Sequence, residues 1–105
     1  MVVRISRGTF AAQDYERVRN RLSESEHSLV PAIRNLNGCV HYWAGIDRTT
    51  NTMVNVSVWR TLADATQMEG LAAMRALAGE FVQFGVRFET PIVNHEVLWE
   101  ISQQP

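Results

Sequence analysis

Few residues in this chain of 105 could do chemistry. It has three histidines, His27, His41 and His95, and one cysteine, Cys39. No two of the histidines share the i, i+4 spacing of a helical metal pair, and no carboxylate–His box is present, so no metal site is expected. His41 and His95 fall on predicted strands and could meet, although the plainer role for His41 is packing or an interface. Cys39 follows Gly38 at a strand start, away from any helix N-terminus or adjacent basic residue, as a buried structural thiol would. Every one of the 10 basic residues is Arg, so Schiff-base catalysis by a lysine is excluded.

Two further side chains are candidates for binding an oxygen-bearing ligand. Tyr42 is a phenol on an otherwise apolar strand face. It could hydrogen-bond a quinol or ketone, or be a core tyrosine with its hydroxyl at the edge. Arg7 ends the first strand and could clamp a carboxylate or enolate, or point to solvent. Arg17, Arg19 and Arg21 read as a solvated helix face. Asn55-Val56-Ser57 matches a glycosylation sequon, but it lies mid-strand behind an N-terminus without signal character.

These residues need elements to hold them. The length predicts one domain over 1–105, with one core. The net charge of −1 gives no electrostatic case for nucleic acid or an anionic membrane. The single cysteine and the lack of an apolar run of spanning length predict a cytoplasmic protein. Val3 and Ile5 alternate with Arg4 and Ser6 as in a half-buried strand ended by Gly8. Thr9 is the expected cap of a helix from about Ala11, with Tyr15, Val18 and Leu22 as its apolar stripe. Pro31 requires a second helix to restart near Ser25 to Ser28, before Asn37-Gly38 stops it.

The stretch Gly38 to Arg60 reads as a hairpin turning at Asp47 to Thr52. If opposed residues sum to an even number, Val40, Tyr42, Ala44 and Ile46 share a face with Val54, Val56 and Val58. Cys39, His41, Trp43, Asn55, Ser57 and Trp59 then share the other. Thr61 and Asp64 form a capping-box variant, and Leu62, Ala65, Met68, Leu71, Met74, Leu77 and Phe81 continue at helical spacing past Gly70. A long final strand over 86–101 must bend at Pro91 and has apolar residues on both faces.

The order β-α-β-β-α-β is the α+β, ferredoxin-like pattern: a four-stranded antiparallel sheet with helices on one face. The open face would carry exposed aromatics, which predicts a homodimer packed through it, with His41, Trp43, Asn55 and Trp59 at the interface. The opposite face would floor a ligand pocket containing Ile5, Tyr42, Val56, Met68 and Met74.

The layout, Val58-Trp59-Arg60-Thr61 leading from strand to helix, and Pro91-Ile92-Val93-Asn94 before a strand ending Glu100-Ile101 resemble the antibiotic biosynthesis monooxygenase-like dimeric α/β-barrel superfamily. The resemblance covers nearly the whole chain and rests on fold markers. It implies a dimer with a pocket between sheet and helices in each subunit. Its haem-degrading branch uses an Asn, a Trp and a His at positions that fall here on Arg7, Met68 and about Ala78, so that activity is not expected. Its cofactor-free branch implies oxygenation of a small aromatic or quinol-type substrate with no cofactor, for which Tyr42, Arg7 and His41 are the candidate catalytic groups. A non-catalytic dimeric module binding a small apolar ligand, or associated with stress, is the alternative on the same fold.

Overall fold

The computed structural model describes residues 1–103. Strand β1 (Val2–Thr9) leads through a single 3-10 turn at Ala12–Asp14 into helix α1 (Tyr15–Glu24) and helix α2 (Glu26–Arg34). Thr9 therefore extends the strand instead of capping a helix. The break between α1 and α2 falls at Ser25, whose buried hydroxyl donates to the Leu22 carbonyl. This is the early end of the expected restart, and it leaves Pro31 inside α2 beyond its first turn.

Strands β2 (Cys39–Asp47) and β3 (Thr52–Trp59) form the hairpin. The Asp47 carboxylate accepts from the Thr50 N–H at 2.9 Å, and Asn51 supplies the positive φ of 52° that the turn needs. Helix α3 (Leu62–Thr66) starts where Thr61 Oγ1 accepts from the Asp64 N–H at 3.0 Å, the capping anticipated from the sequence. A 3-10 turn at Gln67–Gly70 separates α3 from α4 (Ala72–Gln83). The last strand is split into β4 (Arg87–Phe88) and β5 (Val93–Glu96), both paired with β1. Between them lies the cis Thr90–Pro91 bond, and Pro91 has no N–H to give a ladder.

The sheet is antiparallel in the order β2-β3-β1-β4, with β5 also on β1, and the helices cover one face. This is the ferredoxin-like order. The core beneath the helices is built from Val18, Leu22, Leu29 and Ile33 on α1 and α2, and Leu77 and Phe81 on α4, closed over the fully buried Trp59. The long final strand does not form in full. Val97 N–H still bonds the Met1 carbonyl at 2.9 Å, but Leu98, Trp99 and Ile101 are 85%, 78% and 85% exposed. Nothing among the described residues covers these apolar side chains.

The hairpin register corrects the expected one. Tyr42 opposes Ser57, Trp43 opposes Val56 and Ile46 opposes Met53, so sums are odd; the shift to Cys39 opposite Trp59 occurs at an irregularity around Val40. Tyr42, Ala44 and Ile46 do lie on the helix-facing side, but their partners are Asn55 and Met53 together with Ser57. Val54, Val56 and Val58 lie on the open face with His41, Trp43 and Gly45. A purely apolar inner face was the wrong criterion, because the turn sets the register and the valines face outward.

β1 is inverted in the same way. Arg4 opposes Ser57 and Ser6 opposes Asn55, with Arg4 buried, whereas Ile5 opposes Val56 and is 41% exposed. Polar side chains thus point under the helices and apolar ones point away.

Candidate functional site

Burying polar groups is costly unless they are bonded or serve a ligand, so the inward face of β1, β2 and β3 is where function is to be sought. Arg4 and Ser6 on β1, Tyr42 on β2, and Asn55 and Ser57 on β3 border a cavity of about 210 Å³ closed by Met68 and α4. Its apolar wall includes Met53, Met74, Leu77, Phe81 and Phe88. That volume equals about seven water molecules, room for a one- or two-ring molecule. A larger concavity of about 860 Å³ runs along the free edge of β2 beneath α1 and α2. Of the buried polar residues on the inner sheet face none but Tyr42 lines it, so the smaller cavity is the better site.

Within the cavity the Tyr42 hydroxyl donates to Asn55 Oδ1 at 3.0 Å. This bond holds the amide by its oxygen, and the amide nitrogen makes no side-chain hydrogen bond among the described residues. Burial pushes the Tyr42 phenol well above its ordinary pKa; the nearby Cys39 adds to the rise and Arg4 opposes it. Tyr42 is therefore a hydrogen-bond donor near neutral pH and not a base. Ser57 Oγ accepts from the Trp59 indole N–H at 2.8 Å, which ties the fold-holding Trp59 to the cavity floor.

Arg4 enters from the side of β5. One guanidinium nitrogen donates to Asn94 Oδ1 at 3.4 Å and lies 3.7 Å from Glu69. The Arg4 side chain is 8% exposed, whereas that of Glu69 is 64% exposed. The alternation of Arg4 and Ser6 with Val3 and Ile5 was the signal for this residue. Taking the apolar member as the inward one concealed it.

The other candidate residues separate. Met68 and Met74 line the cavity beside Tyr42, while Ile5 and Val56 lie on the opposite side of the sheet. Arg7 is also on that outer side, half-exposed, 3.6 Å from Glu89. His41 stacks on Trp43 with ring centroids 5.1 Å apart on the open face. It cannot meet His95, because β3 and β1 stand between their strands. Asn55 and Trp59 are buried under the helices and do not belong to the open face. The Cys39 thiol is pushed up by burial and donates to the His41 carbonyl at 3.7 Å, which disfavours a reactive thiolate. Met68 and Ala78, the positions that fall on the haem-degrading Trp and His, both line the cavity with apolar side chains.

An antiparallel sheet of this order, covered on one face by helices, defines the class: the chain has the fold of the antibiotic biosynthesis monooxygenase-like proteins. A candidate antibiotic biosynthesis monooxygenase from Deinococcus radiodurans superposes with a TM-score of 0.74 at 17% identity, covering 100% of both chains. A second candidate from Nitrosomonas europaea gives 0.72 at 14% identity over 94% of this chain and 100% of that one. SnoaB, a cofactor-independent oxygenase from Streptomyces nogalater, gives 0.63 at 16% identity over 97% of each chain. No family model and no curated protein matches the sequence significantly. At these identities the likeness establishes the fold alone.

Proposed function

We propose that the protein is a cofactor-free monooxygenase-like enzyme acting on a small aromatic or quinol-type substrate held between sheet and helices. The observation that carries this reading is the convergence of Arg4, Tyr42, Asn55 and Ser57 on one small cavity whose wall is otherwise mostly apolar, with methionine, leucine and phenylalanine prominent and Ser6, Glu89 and Thr90 its other polar members. An apolar box with a few convergent polar groups is what orients a ring and stabilises charge developing on its oxygen. A deprotonated ring substrate reduces oxygen itself: a ring C–H carbon takes one oxygen atom, the ring is oxidised to the quinone level, and the other oxygen atom leaves as water. The protein's part is to exclude water, align the ring and hydrogen-bond the developing oxyanion through the Asn55 amide, with Tyr42 as the positioning residue.

The open face supports a homodimer. Trp43, Ile5 and Val93 are 52%, 41% and 49% exposed, beside Val54, Val56 and Val58. A contiguous apolar face of this kind is rarely left in water. Ile5, Val56, His41 and Trp43 are thus assigned to assembly, and Arg7 to its rim.

The non-catalytic module binding a small apolar or aromatic ligand is separated by experiment. Mass spectrometry of small molecules that co-purify with the native protein is to be paired with oxygen uptake on a hydroquinone panel. Turnover without added cofactor supports the enzyme; bound ligand without oxygen uptake supports the binding module; neither result defeats the cavity as a ligand site.

A further inference from the structure

Arg4 is a buried cation with poor compensation. Its nearest carboxylate, Glu69, is at 3.7 Å, beyond hydrogen-bond distance, and is largely in water. Its one side-chain hydrogen bond among the described residues is the long 3.4 Å contact to neutral Asn94. A second acid at the cavity edge, Glu89, lies beside Arg7 on the far side of β1. No buried polar atom lacks a hydrogen-bond partner among the described residues, so the remaining guanidinium donors are those with access to the void. A guanidinium left this way in an apolar enclosure lacks a planar, two-oxygen anion, the group its forked donors match.

We propose that the cavity takes an aromatic ligand bearing a carboxylate, and that Arg4 receives it. The carboxylate sits against the guanidinium in the place that Glu69 approaches but does not fill, and the ring extends toward Met68 and Phe81. The oxygen at the opposite end of the ring then reaches the Tyr42–Asn55 pair. This inference rests on the cavity being the ligand site, as proposed above, and adds the charge of the ligand.

The test uses the full chain, without oxygen, and two probes: naphthohydroquinone, and the same molecule carrying a ring carboxylate (dihydroxynaphthoate). Calorimetric titration near neutral pH is expected to give about ten-fold or more tighter binding of the carboxylate. Arg4→Gln should abolish that preference, so that the two probes bind the variant alike. Glu69→Gln removes the exposed carboxylate nearest Arg4; it should tighten the carboxylate probe several-fold and not the neutral one. Equal binding of the two probes by the unmodified protein, or a preference that survives Arg4→Gln, overturns the assignment while leaving the cavity as ligand site. Failure of both probes to bind overturns the cavity reading and this inference with it.

Discussion

The Tyr42 hydroxyl and Asn55 Oδ1 lie 3.0 Å apart beneath the helices, joined across two neighbouring strands of one hairpin. The odd register brings them to the same face, next to Ser57 and Arg4. Through this contact a tyrosine that stays protonated holds the amide by its oxygen.

Removing the amide should cost more than removing the phenol. Asn55→Ala deletes the proposed oxyanion donor and is expected to lower turnover on the order of 100-fold. Tyr42→Phe leaves the amide present but free to turn, with an expected loss of about ten-fold in the hydrogen-bond contribution. The double variant should be no worse than Asn55→Ala alone, because Tyr42 acts through Asn55. Steady-state oxygen uptake measures all three; additive losses would show that the two residues act separately.

Tyr42 also makes the fold sensitive to alkali. Its folded pKa is raised, chiefly by burial. The stabilisation is therefore fully present below the unfolded pKa of about 10 and is lost as pH rises through that value toward the folded one. Above about pH 10 the native protein should lose stability by up to about 1.4 kcal/mol per pH unit more than Tyr42→Phe does. Denaturant titrations of both proteins at a series of alkaline pH values check this; parallel profiles would contradict it.

Gly8 is required where β1 passes the start of the last strand. A Cβ placed there would lie 2.7 Å from Val86 Cγ1 and 3.1 Å from the Phe88 ring. Both neighbours belong to packed structure, with Val86 3% exposed. Gly8→Ala should therefore destabilise the protein by about 1–3 kcal/mol through overpacking. Equilibrium unfolding would detect this, and a neutral result would mean that the 86–88 segment moves freely.

The outward face is the proposed dimer surface. Trp43→Glu places a charge on its most exposed aromatic, distant from the cavity and from the core. Sedimentation at micromolar concentration is expected to show a dimer for the natural sequence and a monomer for the variant, with far-ultraviolet circular dichroism unchanged. A natural chain that sediments as a stable monomer would remove the dimer from the account.

The sequence alone determined the element order, the hairpin, the Thr61 cap, the interruption at Pro91 and the pairing of Tyr42, Met68 and Met74 with a helix-covered face. Each depends on local periodicity, capping chemistry or proline's missing donor, which act over a few residues. The inward direction of Arg4, Asn55 and Ser57 was decided only in three dimensions. Period-two alternation says that Arg4 and Ile5 point to opposite sides, but not which side receives the helices. In a sheet with helices on one face and an apolar surface on the other, both sides have a claim on hydrophobic residues. The valines of β3 and Ile5 took the outer one. The turn register then brought Tyr42 to Asn55, and the order β3-β1 brought Arg4 beside Ser57, so the polar residues converged only once the sheet had formed.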